Sequence, residues 1–290
     1  MGGQVPGDAG APAGPSVGRR IAGYRLEERV GAGRMAVVFR AVDERLGRQV
    51  ALKVIAAVMA SDDAARYRFL RNSKAVTAAV DPHLLPIYEI GESGGVLFIA
   101  MRYVGGGDLR SLVQREGPLS AERAAAIISP VASALDAVHA AGVWHGDVKP
   151  ASILLDVTAG RPDHVYLADL GNPREQSAPR LTAAGHLEGN ADHAAPELFA
   201  GAAVDGRADQ YALACTAFEV LSGERPFRRD EPAALIWAVM NEPPPLLTSR
   251  RPDLPPAVNG VLAKALAKKP GDRYVTCRDF ADALRKALVL

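Results

Sequence analysis

The sequence predicts an α+β fold in two lobes, and three observations carry that expectation. Strand-like runs fill residues 21–101, helix-like periodicity dominates residues 108–290, and a glycine run, Gly105–Gly107, lies where the character changes. The length of 290 residues fits one large domain or two lobes at ~150 residues per domain.

The elements follow in order. Residues 1–20 are mostly Gly, Pro and Ala, too poor in bulky side chains to offset the entropy of ordering, and are expected to be a disordered tail. The domain is expected over 21–290, with a strand-rich lobe at 21–101, a connecting hinge at 102–107 and a helical lobe at 108–290. Tyr24–Val30 and Val37–Val42 read as strands around a glycine-containing turn. Val50–Ile55 is a third strand; its two-residue period sets Ala51 and Lys53 on one face and Val50, Leu52 and Val54 on the other. A helix is expected from Ser61 to about Ala79, with Asn72 on its apolar stripe, then strands at Leu85–Glu89 and Val96–Met101. Helices follow at Leu109–Gln114 and Ser120–Ala141, the latter with Ile127, Val131, Leu135 and Val138 on one face. A short strand, Val165–Ala168, precedes helices at Pro196–Phe199, Gly206–Ser222, Ala233–Met240, Pro256–Ala267 and Cys277–Ala287; the proline-rich Pro243–Pro256 reads as a loop.

Composition narrows the function classes. Lys+Arg 34 against Asp+Glu 33 gives a net charge of +1, so no global field recruits nucleic acid or an anionic membrane. Two cysteines, Cys215 and Cys277, cannot build a disulfide scaffold or a cysteine-rich zinc site and suit a reducing cytoplasm. The longest apolar stretch, Ala124–Trp144, is interrupted by Pro130, Asp136 and His139, which opposes a membrane span. Residues 1–20 lack an apolar signal core, and with the stop at Leu290 the expectation is a chain without secretory signal, sensor domain or anchor.

Three segments carry chemistry. Gly31–Phe39 is a glycine turn between strands, a plain hairpin by itself. With Lys53 on the next strand, backbone N–H groups and a point charge become available to phosphate oxygens. His145–Leu155 sets Asp147 and Lys149 on a short loop, an arrangement for accepting a hydroxyl proton and neutralising phosphate charge; a capped turn is the plainer alternative. Leu167–Gly171 places Asp169 at a strand end before glycine, suited to carrying Mg²⁺. His145 reads as a packed structural residue; His83, His139, His164, His186 and His193 have no metal-ligand spacing and read as structural or solvated.

Taken in order, the glycine turn, VALK, HGDVKP, DLG, AAPE, RADQYALA and KKPGDRY resemble the eukaryotic-type protein kinase family in its bacterial Ser/Thr branch, over Ile21–Leu288. The resemblance implies a kinase-like bilobal fold with a β-rich N-lobe, and ATP and Mg²⁺ as cofactors. It implies that Gly31 and Gly33 cover the nucleotide, Val38 and Ala51 sandwich adenine, Met101 lies behind it, and the backbone of Arg102–Val104 forms the hinge. Lys53 would hold the α- and β-phosphates, Asp108 the ribose, Asp147 the substrate hydroxyl, Lys149 the γ-phosphate, and Asp169 with Ser152 the metal. Glu197 with Arg273, and Asp209, would brace the helical lobe.

Departures from the family pattern are Ala36 for the third loop glycine, Asn72 for the glutamate that pairs Lys53, Gly146 for the arginine before Asp147, Ser152 for the second-metal asparagine, Leu170 within DLG, and Asn190 for the activation-segment threonine. Each lost electrostatic group typically costs ~3 kcal/mol, or ~10²-fold in rate. Two readings stay open: a Ser/Thr kinase of impaired activity, and a pseudokinase serving as a nucleotide-sensitive binding module. A small-molecule phosphotransferase shares His-Gly-Asp, but Lys149, Ser152 and the AAPE segment oppose it. The protein substrate or partner is not legible in the sequence.

Overall fold

The computed structural model describes residues 15–33, 36–55, 66, 77–157, 163–170, 180–181, 187–188 and 191–289. Asn72, Asn190 and most of the helix expected from Ser61 to Ala79 lie outside the described residues, as do residues 1–14 of the expected tail. The chain divides into two compact units, Met1–Arg66 with Pro86–Tyr103 and Tyr67–Leu85 with Val104–Leu290.

The first unit is a six-stranded antiparallel sheet. Its strands are β1 (Arg20–Ile21), β2 (Tyr24–Ala32), β3 (Ala36–Asp43), β4 (Arg48–Ile55), β5 (Ile87–Ser93) and β6 (Val96–Arg102), ordered β1-β2-β3-β4-β6-β5. The N–H of Gly18 donates to the carbonyl of Leu26 at 2.8 Å, so pairing onto β2 begins just before β1. Alternation along the strands sends Phe39, Ala41, Val50, Leu52, Val54, Phe98 and Ala100 to one face, where they form the core with Tyr24 and Leu26.

The second unit is mainly helical: α1 (Leu109–Glu116), α2 (Ala121–Ala140), α3 (Pro196–Ala200), α4 (Gly206–Ser222), α5 (Pro232–Asn241), α6 (Ala257–Ala265) and α7 (Cys277–Val289). Ser120 caps α2 by accepting the N–H of Arg123 at 3.2 Å, and Ile127, Val131, Leu135 and Val138 are buried. Helix α2 packs on α7 and α4, and α4 is buried along nearly its whole length. Two hairpins complete the unit: β7 (Ile153–Asp156) with β8 (His164–Leu167), and β9 (Arg180–Leu181) with β10 (Leu187–Glu188). The glycine run crosses β7 closely. Leu155 donates its N–H to the carbonyl of Gly107 at 3.0 Å, and a Cβ on Gly106 would stand 2.0 Å from the carbonyl oxygen of Leu155, so no side chain fits there. Among the described residues no helix is long and apolar enough to cross a membrane.

Candidate active site

In the first unit, the face of the sheet opposite the core gathers the residues singled out in the sequence. Gly31, Val38, Lys53 and Ile99 stand opposite one another across β2, β3, β4 and β6, and Ala51 faces Met101 two residues along. Pleating puts Val38, Ala51, Lys53 and Met101 on one surface. Ala51, Lys53 and Met101 are buried there.

In the second unit, the loop after α2 is built around the buried carboxylate of Asp209 on α4. It accepts the N–H of His145 at 2.7 Å, the N–H of Gly146 at 2.8 Å and Nε2 of His139 at 2.8 Å. Burial pushes this carboxyl upward, yet the hydrogen bond from His139, with that of the Gly146 N–H, holds it below the usual aspartate range. Gly146 has φ +76°, a left-handed backbone that glycine adopts without steric cost.

His145 ties the loop to the end of β8. Its Nδ1 accepts the N–H of Asp147 at 3.2 Å and its Nε2 donates to the carbonyl of Ala168 at 2.8 Å, which fixes the Nε2–H tautomer. Both ring nitrogens are thereby committed, so His145 positions the loop and has no nitrogen left for base chemistry. Asp147 forms an ion pair with Lys149. Ser152, fully buried, accepts the N–H of Lys149 at 3.1 Å and directs its hydroxyl to the Lys149 carbonyl at 2.8 Å. Asp169 has φ +66°, a strained left-handed conformation for a residue with a side chain, of the kind that persists where the surroundings impose it. The carboxylate of Asp108 caps α1, accepting the N–H of Ser111 at 2.8 Å.

The lobe is braced by a buried pair. The guanidinium of Arg273 donates to both oxygens of Glu197 at 2.7 Å, and to the carbonyls of Ala267, Arg207 and Lys268 at 2.8, 2.9 and 3.1 Å. All five of its N–H donors are satisfied.

The sequence pattern of the protein kinase domain matches residues 24–284. The chain belongs to the protein kinase family. It is 42% identical over 275 residues to the serine/threonine-protein kinase PknD of Mycobacterium tuberculosis, covering 94% of this chain and 41% of that protein. It is 39% identical over 271 residues to PknE of the same species, covering 93% and 47%. The solved kinase domain of Mycobacterium tuberculosis PknI superposes with TM-score 0.75 and 37% identity, over 94% of this chain and 99% of that one. The chain thus spans less than half the length of these curated relatives and nearly all of that solved domain. It carries a Ser/Thr protein kinase domain, and the expected β-rich sheet and helical lobe are the kinase fold.

Protein kinases generally use ATP and Mg²⁺. The residues present fit such a metal at one point: Asp169 offers the hard carboxylate oxygens Mg²⁺ prefers, while the Ser152 hydroxyl is engaged within its own loop. The sequence reads His139 as structural or solvated and does not disclose that it is a third donor to Asp209. The signal lay in its position on a helix ending just before the loop that Asp209 holds.

Proposed function

We propose that this kinase domain binds ATP and transfers its γ-phosphoryl group to a Ser/Thr hydroxyl of a protein, at a rate reduced by its altered motifs. The observation that carries the reading is the Asp147–Lys149 pair, fixed by the Asp209–His145 framework on a loop adjoining Asp169. In this reading Asp147 takes up or orients the hydroxyl proton, Lys149 steadies the γ-phosphate, and Asp169 holds Mg²⁺, with Ser152 the poorer second ligand. When bound, Mg²⁺ offsets the charge of the phosphates. Lys53 takes the α- and β-phosphates, Gly31 and Gly33 approach them through backbone, Val38, Ala51 and Met101 line the adenine with backbone at Val104, and Asp108 meets the ribose. The shared sheet face of Val38, Ala51, Lys53 and Met101 supports this assignment. A cytoplasmic setting accords with two free cysteines.

One observation favours a second reading, a pseudokinase acting as a nucleotide-sensitive module. The Ser152 hydroxyl already gives its proton and one of its two lone pairs to Lys149, which weakens metal holding more than nucleotide holding. Phosphotransfer to a protein acceptor by the purified chain, with Asp147→Asn as control, decides between them. Transfer abolished in Asp147→Asn supports the kinase; equal background in both, with ATP still bound, supports the module.

A further inference from the structure

Away from the catalytic loop, Asp136 and His139 stand one turn apart on α2, and Cys277 opens α7. A carboxylate oxygen, a ring nitrogen and the sulfur of these three residues lie within 4.8 Å of one another. Each is held in place by something else. The carboxylate of Asp136 bridges the start of α7, accepting the N–H of Cys277 at 2.9 Å and of Arg278 at 3.1 Å. His139 is oriented from the far side by Asp209. That carboxylate only accepts, so Nε2 carries a proton toward it, and in the neutral ring the lone pair sits on Nδ1. Among the described residues, this Nε2 contact is the ring's only hydrogen bond.

One neighbour of the ring is Gly206. A Cβ on Gly206 would lie 2.5 Å from Nδ1, 2.7 Å from Cε1 and 2.8 Å from Cγ. Such near-equal distances put it over the ring face, so the glycine covers that face and does not block the in-plane direction at Nδ1.

We propose that Asp136, His139 and Cys277 bind one Zn²⁺ ion, with water as fourth ligand, stapling α2 to α7. Oxygen, imidazole and thiolate together match zinc in a tetrahedral site. A ligand histidine whose other nitrogen donates to a carboxylate is the usual outer-shell arrangement around zinc. Metal–ligand bonds of ~2.0–2.3 Å set ligand atoms ~3.5 Å apart, so the widest pair closes by ~1 Å through side-chain rotation. On binding, the Cys277 thiol gives its proton to solvent and coordinates as the thiolate. Because His139 shares Asp209 with the backbone N–H groups of His145 and Gly146, the ion links α7 to the catalytic loop. Spacing in the sequence hides the site because Cys277 lies far along the chain from the Asp136–His139 pair.

The test is titration of the chelator-treated chain with Co²⁺, whose thiolate charge-transfer absorption reports a Co–S bond, followed by displacement with Zn²⁺. The proposal expects one saturable site, a charge-transfer band kept in Cys215→Ala and lost in Cys277→Ala, and affinity at least ~10-fold weaker in Asp136→Asn. Zinc should also raise the melting temperature of the wild-type chain by several degrees and leave Cys277→Ala unmoved. Failure of the wild-type chain to take up Co²⁺ saturably overturns the proposal, whatever the variants do. Uptake unchanged in a Cys277→Ala protein with native circular dichroism overturns it too.

Discussion

At the scale of single residues, buried charge braces the helical lobe at Asp209 and at the Glu197–Arg273 pair. A buried carboxylate without partners would protonate; Asp209 stays charged because three donors converge on it. Its folded-state pKa lies below the usual value, so the stability it contributes is present above the unfolded pKa of ~3.9 and is lost as pH falls through the folded value. In denaturant titrations across pH, the stability gap between the wild-type chain and Asp209→Asn should be constant above about pH 4.5 and shrink below it. A gap that persists in strong acid would mean that the shape of Asp209, not its charge, holds the loop. For Arg273, Arg273→Met leaves Glu197 charged and buried, and urea unfolding should show a loss of ~3–5 kcal/mol. Both braces were legible in the sequence, through resemblance. The committed oxygen of Ser152 was not, because a serine's partners depend on the fold of its own loop.

At the scale of elements, legibility followed the strength of local signals. Helix α2 was placed to within a residue because Ser120 caps it and its apolar residues repeat at helical spacing. Strand β5 begins at Ile87, two residues later than expected. Pro86 has no N–H to give a ladder, and its carbonyl instead accepts the N–H of Arg102 at 2.9 Å. The proline-rich stretch read as loop holds a 3₁₀ turn at Leu247–Ser249, where burial of Leu247 anchors a segment that periodicity could not reveal. The catalytic loop allows a sharp test of backbone against side chain. Gly146 has φ +76° and nothing within 4 Å of a would-be Cβ, so Gly146→Ala meets only the left-handed backbone cost. Equilibrium unfolding should report a loss of ~1 kcal/mol. A loss of more than ~3 kcal/mol would show that the loop cannot keep its hydrogen bonds to Asp209 once that residue has a Cβ.

At the scale of the whole molecule, the charged groups divide into those suited to holding a nucleotide and those suited to moving a phosphoryl group. Lys53, Asp147, Lys149 and Asp169 remain, while Asn72 and Ser152 stand where the family carries a glutamate and an asparagine. Binding should therefore outlast chemistry. ATP with Mg²⁺ at ~10 times its dissociation constant stabilises a native state by ~1.4 kcal/mol, a melting shift of a few degrees. Lys53→Met should remove most of that shift. Asn72→Glu and Ser152→Asn act on one transition state, the first by placing a carboxylate at the position where the family carries its glutamate and the second by adding an amide oxygen as metal ligand. Their effects should reinforce each other. Rate assays under saturating ATP should find the double variant more than ~10-fold faster than either single one. Should the double variant bind ATP and stay silent, the missing electrostatic groups are not what limits transfer. The defect would then lie in the activation segment around Asn190, to which Gly146 on the catalytic loop offers no cation for clamping a loop phosphate.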